Sequence, residues 1–501
     1  MSKFKTTSQN AKLIISLSII LLTSFLIRLI SLNQSLWLDE ATTARVVQQF
    51  NFYGIITKFS PTDFHPPLYY LFMKIWTNIF GYSEISLRMP SVLFSLLTGY
   101  LIYLIGKKLF NNDSGLASLA RMTKGQQFGL WTAVFFLFNP LIVYYSQEAR
   151  MYMMATFLLT VSLYYLLTSL RVNEFKERSK VKIQKLKLQL KSQNWKSILL
   201  FNVFISLSLL TFYGSIFLII PMGFYLLYKK RFSVFFTFLL LFTVTLLLLY
   251  PLLYQQIINA KQQLQLVPNW GQALGKANLK NLILIPLKFS IGRISFEPKV
   301  FYYLISGIWT LFIFGSVIKA GLNNNSKQKS KLLEYLLFSP IVLGLFFSFF
   351  TPLLQYFRFL YLIPIMSILL ALGSAKFHRF GGIWLVLTGF ILFSMTYLLN
   401  PQFLREDWKS LTKTLRTNRK IYMVYSSSDP ILYYRKDLQI IDLKSILDLQ
   451  CLDSEIIAIP YSSDIHGIDY QKILSERNYK LVKKQSFRGL IVETWSYYNS
   501  M

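Results

Sequence analysis

The chain has 501 residues, 53% of them hydrophobic and 17% aromatic, and only 15% charged, well below the roughly 25% usual in soluble proteins. That balance excludes an ordinary soluble domain, and apolar runs of about 20 residues recur, each able to cross a hydrocarbon layer of roughly 30 Å as a helix. The net charge of +31 does not indicate nucleic acid: Lys and Arg collect between apolar runs, where they set topology and bind anionic headgroups, so membrane lipids are the expected partners.

The first apolar run, 12–32, follows Lys3, Lys5 and Lys12 and lacks a small-residue cleavage site. A retained first helix is expected rather than a removed signal. Immediately after it, "SLWLDEATTAR" (35–45) places two acids, Asp39 and Glu40, at the membrane rim. "HPPLYYLFMKIWTNIFG" (65–81) opens on two prolines and carries Lys74 mid-run, features of a helix lying along the interface rather than crossing. Further spans are expected near 85–106, 127–146, 151–170, 196–212, 214–228, 232–254, 299–319, 332–350, 357–374 and 381–399, about eleven in all.

Charge assigns the sides. With the N-terminus in the cytoplasm, the inside loops carry Lys107, Lys108, Arg121 and Lys124; Lys176 through Lys191; Lys229, Lys230 and Arg231; Lys327, Lys329 and Lys331; and Lys376 and Arg379. Every dense basic cluster then falls inside, as the positive-inside bias requires. The run 171–196 interleaves Leu and Ile with Lys and reads as a cytoplasmic amphipathic helix on anionic lipid. The setting is a plasma (inner) membrane, crossed many times.

The outer face then collects Asp39, Glu40, Arg45, Asp63 and His65 from loop 33–64, Gln147, Glu148 and Arg150 from "NPLIVYYSQEAR", Arg293 from loop 255–298, and Arg358 and Tyr361 from "QYFRFLYLIP". Acids and bases converging at a membrane rim are costly and mark a functional site. A carboxylate there can act as general base on an acceptor hydroxyl or amine. Arginines can neutralise a phosphate leaving group, and a helical bundle offers a groove for a lipid tail. These parts suit transfer of a group from a lipid-linked phosphate donor to an acceptor outside the cytoplasm.

"WLDEATTAR", "DFHPPLYYLFMKIWTNIFGYSEISLRMPSVL" and "YYSQEARMY" resemble the membrane-embedded C-type glycosyltransferases, with the nearest likeness to bacterial relatives of the protein O-mannosyltransferases and of the lipid A aminoarabinose transferase. The resemblance covers roughly residues 12–400. It implies Asp39 as catalytic base; Glu40, Asp63 and Glu148 are read beside it as supporting acids that position the acceptor or the loop. It implies donor-phosphate contacts from the basic residue before the proline, here His65, and from Tyr361 in "LYLIP". Because His65 stands where the aminoarabinose transferases have lysine, charge neutralisation shifts toward Arg150, Arg293 or Arg358, and aminoarabinose is a weaker expectation for the sugar. The implied donor is a polyprenyl-phosphate sugar, the reaction inverts the anomeric centre, and the acceptor is a lipid, a glycan or a protein.

Blander readings exist for each signal. Asp39 and Glu40 suit a helix N-terminus, Asp63 and His65 a cap on the proline-led helix, and Glu148 with Arg150 a local ion pair. Arg293, Arg358 and Tyr361 are of the kind that snorkels at helix ends. No cofactor is expected, and no metal: His65, His378 and His466 lie far apart and Cys451 is the single cysteine. A Mg²⁺ between Asp39 and Glu148 is the carboxylate-based alternative.

Residues 401–501 turn polar and mixed. "EDWKSLTKTLR" and "DYQKILSERNY" read as helices, and "KIYMVYSS", "LQIIDL", "EIIAIPYS", "YKLVKKQSF" and "GLIVETW" as short strands. The expected architecture is therefore an all-α polytopic bundle over 1–400, with its first outer loop and interfacial helix at 33–81, plus a small α/β extracytoplasmic domain over 401–501. A transporter should show two similar halves and helices broken at the midplane, and no repeat is visible. A lipid-linked glycan flippase or polymerase is the nearer competing class.

Overall fold

The computed structural model describes residues 2–110, 124–178, 184–321, 327–375, 381–417, 419–447 and 454–498. The predicted basic positions Arg121, Lys180 and Lys376–Arg379, with His378, and the lone Cys451 lie outside these residues.

A long helix, α1 (Ser2–Leu29), leads into a loop that holds α2 (Leu38–Gln49), a single turn α3 (Phe52–Gly54), a π-type turn at Ile55–Phe59, and α4 (Leu68–Phe80). The bundle continues through α5 (Glu84–Phe110), α6 (Lys124–Leu137), α7 (Pro140–Tyr145), α8 (Tyr152–Arg178), α9 (Gln184–Thr211), α10 (Ile216–Tyr228) and α11 (Phe232–Leu266). After α12 (Trp270–Leu274) and α13 (Leu279–Ile291) come α14 (Lys299–Gly321), α15 (Lys327–Ser348), α16 (Ile363–Ser374) and α17 (Gly381–Leu399). Among the described residues, 8 helices are long and apolar enough to cross a membrane, and Trp195–Thr211 and Tyr213–Tyr228 are shorter apolar helices. Ten of the eleven expected spans coincide with these helices; the one expected over 127–146 does not.

The spans divide by position. The crossing windows of α8 and of Tyr356–Ser374 are 78% and 89% buried, so they form the centre of the bundle, whereas those of α1 and α11, at 17% and 22%, present themselves to lipid. Centre-to-neighbour approach is close because small residues sit there: a methyl group at Gly373 on α16 would collide with the Ser316 carbonyl on α14.

Three stretches depart from the sequence expectation. The span expected over 127–146 is broken at Asn139-Pro140. Proline has no N–H and disfavours helix in the residue before it, so α6 stops and α7 restarts with Pro140 in its first turn, capped by Asn139 Oδ1 accepting from Leu141 and Ile142 N–H at 3.0 and 3.2 Å. Much of the expected loop 255–298 is helical, since α11 runs on to Leu266 and α13 follows. The expected surface helix over 171–196 is instead helical continuation of α8 to Arg178 and of α9 from Gln184.

The C-terminal region is a five-stranded sheet flanked by short helices. α18 (Trp408–Thr414) precedes β1 (Lys420–Met423), then come α19 (Asp429–Tyr434), β2 (Gln439–Asp442), β3 (Glu455–Ile459), α20 (Ser463–His466), α21 (Tyr470–Glu476), β4 (Tyr479–Phe487) and β5 (Leu490–Tyr497). Strand order is β2-β1-β3-β5-β4, with β1 parallel to β2 and β3, and β5 antiparallel to β3 and β4. Alternating apolar residues bury one side chain set on each face, around Tyr422, Ile456 and Trp495 on one and Trp408, Ile421 and Val492 on the other.

This sheet region sits on the first loop. Tyr434 Oη accepts from Leu36 N at 2.9 Å, Thr42 donates to Asp429 at 2.6 Å, Arg45 pairs with Asp429 at 2.9 Å, and Lys409 N donates to Ser35 Oγ at 3.1 Å. On a second side, Asn269 N donates to Ile465 O at 3.1 Å. The loop carrying Asp39 is thus held between bundle and sheet.

Candidate active site

The site begins with the first turn of α2, where acids are favoured by the helix N-terminus. Its two acids go separate ways. Glu40 is fully buried and meets the equally buried Arg88 of α5, which donates from Nε to Oε1 at 2.8 Å and from Nη2 to Oε2 at 2.5 Å. Arg88 spends its other donors on the carbonyls of Leu32, Gln34 and Ser35, at 2.8, 2.6 and 3.0 Å. Glu40 Oε1 also accepts from Ala149 N at 2.7 Å. A saturated pair of this kind fixes geometry, and it fixes the loop before Asp39 against both α5 and the 146–150 turn.

Asp39 stays open, its side chain 36% exposed, with Arg150 Nη2 at 3.5 Å from Oδ2 and Arg150 Nη1 donating to the Asp39 carbonyl at 3.4 Å. Arg150 itself is buried. Burial alone would lower its pKa, but Asp39, with Tyr70, Tyr152 and Asp63 around it, holds it well above its ordinary value, so it is cationic. The turn that delivers Arg150 is bonded on every side. Gln147 Nε2 donates to the carbonyls of Arg28 and Ile30 at 2.9 and 2.6 Å, and Ser91 donates to the Glu148 carbonyl at 2.6 Å.

Glu148 anchors a second cluster. Arg405, from the segment between α17 and α18, donates to Glu148 Oε1 from Nε at 3.0 Å and Nη2 at 2.6 Å, and its guanidinium lies 3.7 Å from the Trp37 ring centroid. Arg293 Nη1 stands 3.9 Å from the same carboxylate oxygen and donates to the Tyr144 hydroxyl. Its guanidinium is one-third exposed and opens on a cavity of about 710 Å³ whose cationic lining also includes Lys299, Arg405 and Arg488.

A third group gathers at the start of α4. Asp63 accepts from Tyr70 Oη at 2.9 Å and contacts His65 Nδ1 at 3.3 Å. Burial by itself would raise the Asp63 pKa; attraction and hydrogen bonding from His65, with the Arg150 charge, bring it below its usual value. The backbone here is tied to α11, where Gln256 Nε2 donates to the carbonyls of Ser60 and His65 at 2.7 and 3.1 Å.

Arg358 occupies the tight helical segment Tyr356–Leu362, where Nη1 donates to the Pro352 carbonyl at 3.2 Å. Among the described residues it makes no ion pair with a carboxylate, and with Arg150 it borders the Tyr152 ring electrostatically. Tyr361 is buried, and its hydroxyl donates to the Gly214 carbonyl at 2.9 Å, so it braces α10 against α16.

The structure therefore brings Asp39 to Arg150, Glu148 to Arg293, and Asp63 to His65, links the first and third groups through the charge of Arg150, and turns Tyr361 into the core. Asp39 and Glu148 each face a guanidinium. Arg88, Arg405, Tyr70 and Trp37 were not singled out from sequence. Arg88 carried a signal, a lone charge in the first turns of an apolar span. Arg405 carried none, being 257 residues from its partner.

Residues 64–178 match the family described as dolichyl-phosphate-mannose-protein mannosyltransferase. No curated protein matches the chain in sequence. Among solved structures, ArnT from Cupriavidus metallidurans in the apo state superposes with a TM-score of 0.57 at 12% identity, covering 95% of this chain and 97% of that one. The same protein bound to undecaprenyl phosphate gives a TM-score of 0.56 with the same identity and coverage. The chain is a multi-pass membrane protein with the ArnT fold, and its likeness to the membrane-embedded C-type glycosyltransferases holds in the sequence of residues 64–178 and in the whole architecture.

Proposed function

We propose that the chain is an integral-membrane, inverting glycosyltransferase that moves a sugar from a polyprenyl-phosphate donor to an acceptor on the extracytoplasmic face of the plasma membrane. The observation that carries this reading is the pairing of a half-open carboxylate, Asp39, with a buried cationic guanidinium, Arg150, at a loop held rigid by Glu40 and Arg88. The family match over residues 64–178, which include Arg88 and Arg150, and the undecaprenyl phosphate bound by the ArnT relative support the donor class.

In this reading Asp39 removes a proton from the acceptor hydroxyl or amine as that atom attacks the anomeric carbon. The bond from that carbon to the phosphate oxygen breaks with its electron pair, leaving a polyprenyl monophosphate. Arg358, which carries no carboxylate partner among the described residues, and the part-exposed Arg293 stand ready to neutralise that developing charge. His65 is engaged with Asp63 and serves the donor through the loop it helps to shape. Residues 401–501 form an outer domain packed beside the site, with Arg405 tying it to the bundle through Glu148.

The test is Asp39→Asn in purified protein reconstituted with a polyprenyl-phosphate sugar and envelope acceptors. Transfer should fall by roughly 10²–10⁴-fold, the contribution of a general base, with the fold retained by circular dichroism and a lower melting temperature, because buried Arg150 loses its charge partner. Wild-type-like transfer by this variant removes Asp39 from the mechanism.

A further inference from the structure

At the end of the bundle opposite the site, about 20 Å along α10 from the Gly214 carbonyl that Tyr361 holds, the end of α10 and the start of α15 enclose a cleft of about 440 Å³. Its walls are Phe224, Tyr228, Leu332 and Tyr335, and its mouth carries Lys229 and Lys331. The apolar walls face outward into lipid: Phe224 and Tyr228 are 61% and 77% exposed. At its floor the Tyr335 hydroxyl donates to the Pro221 carbonyl at 3.3 Å, which ties the two helices together beneath the opening.

The charge at the mouth is one-sided. Among the described residues no carboxylate lines the cleft. The nearest acid along α15, Glu334, attracts Lys331 but is hydrogen-bonded to the Gly321 backbone on α14 and makes no ion pair with either lysine. Lys229 Nζ stands 5.8 and 5.6 Å from the Tyr225 and Tyr228 ring centroids, so its ammonium is held over aromatic faces rather than by an anion.

An outward-facing groove with an aromatic and aliphatic body and two lysines at its mouth matches an anionic amphiphile in shape and charge. We infer that this cleft is a binding site for an anionic phospholipid of the leaflet at that end, its phosphate held by Lys229 and Lys331 and one acyl chain laid between Phe224 and Leu332. The site is separate from the proposed chemistry, and its lysines touch none of the residues placed there. A lipid held here bridges α10 to α15, the two helices whose far ends carry Gly214 and lead to Arg358.

The test uses the full-length protein in detergent with phosphatidylglycerol bearing a diazirine in one acyl chain. After irradiation, adducts are mapped to peptides. Labelling should appear on Phe224–Tyr228 and Leu332–Tyr335, and unlabelled phosphatidylglycerol should displace it at least tenfold more efficiently than phosphatidylcholine with the same chains. Labelling of those peptides should drop about 25-fold in the K229Q/K331Q double variant, at roughly fivefold per lysine near a membrane surface, and persist in K229R/K331R. No label on these peptides, equal displacement by the two lipids, or undiminished labelling in K229Q/K331Q overturns the assignment. Sugar transfer by K229Q/K331Q, measured in parallel, keeps this result distinct from the proposed activity.

Discussion

Glu40 and Arg88 stand 48 residues apart in the chain and side by side in the fold, both fully buried, with two parallel N–H···O contacts between them. A carboxylate next to the catalytic candidate is therefore engaged in holding the loop, and Asp39 alone is left for a substrate. Removing one partner of such a pair strands a buried charge, at about 3–5 kcal/mol. Arg88→Met should lower the melting temperature of the detergent-solubilised protein markedly and abolish transfer as a consequence. Glu40→Gln should do less damage, because the amide keeps one acceptor for Arg88. Equal stability of Arg88→Met and wild type would show that the pair does not hold the loop.

Arg405 makes two contacts that lysine does not reproduce together, a forked donation to Glu148 and a flat stack on Trp37. Arg405→Lys should reduce turnover by roughly tenfold to a hundredfold, the equivalent of one charged hydrogen bond, with the fold retained by circular dichroism. Arg405→Gln should be worse, because buried Glu148 then keeps only the more distant Arg293, at 3.9 Å, as its cation. An unchanged turnover number for both variants separates the 401–407 segment from the site.

The pH dependence has a defined sign. Asp63 has a folded pKa below its usual 3.8, so its ionised form stabilises the fold at neutral pH. That contribution is complete above the unfolded pKa and is lost as the pH falls through the lowered folded value. Stability measured from pH 6 downward should drop below about pH 4, and Asp63→Asn should flatten that part of the curve. A variant curve that keeps the same slope would assign the acid sensitivity to other carboxylates.

Asn139 caps α7 with its carbonyl oxygen and ties it to α13 by donating from Nδ2 to the Phe289 carbonyl at 2.8 Å. Asn139→Ala loses the cap, worth about 1 kcal/mol, and leaves a buried carbonyl unpaired at about 1–3 kcal/mol more. Thermal unfolding should shift down accordingly. Asn139→Asp, which keeps the cap but not the donor, should fall between the two.

Much of this architecture was readable from the chain. The Lys and Arg clusters and the runs of apolar residues located the spans, because hydrophobic length and flanking charge are local properties. "KIYMVYSS" and "GLIVETW" announced β1 and β5 by alternation, and Pro66-Pro67 announced the start of α4. The break at Asn139-Pro140 was also written locally, yet the apolar run across it reads as one helix because hydropathy does not register a missing N–H. Tyr361 shows the opposite limit: its motif marks the position, while the direction of its hydroxyl, toward Gly214, depends on how α10 packs.

By itself, then, the chain determined which segments are apolar enough to lie in lipid and where basic clusters interrupt them, since each follows from neighbours within about one helical length. Tertiary structure decided the pairing: that Glu40 is taken by Arg88 while Asp39 keeps its opening toward Arg150, and that Arg405 reaches Glu148 across 257 residues. The reason is that ion pairs are selected by distance and burial in three dimensions, and several arginines with the same charge compete for few carboxylates. Only the packed bundle, with the sheet region seated on its first loop, settles which of them meet.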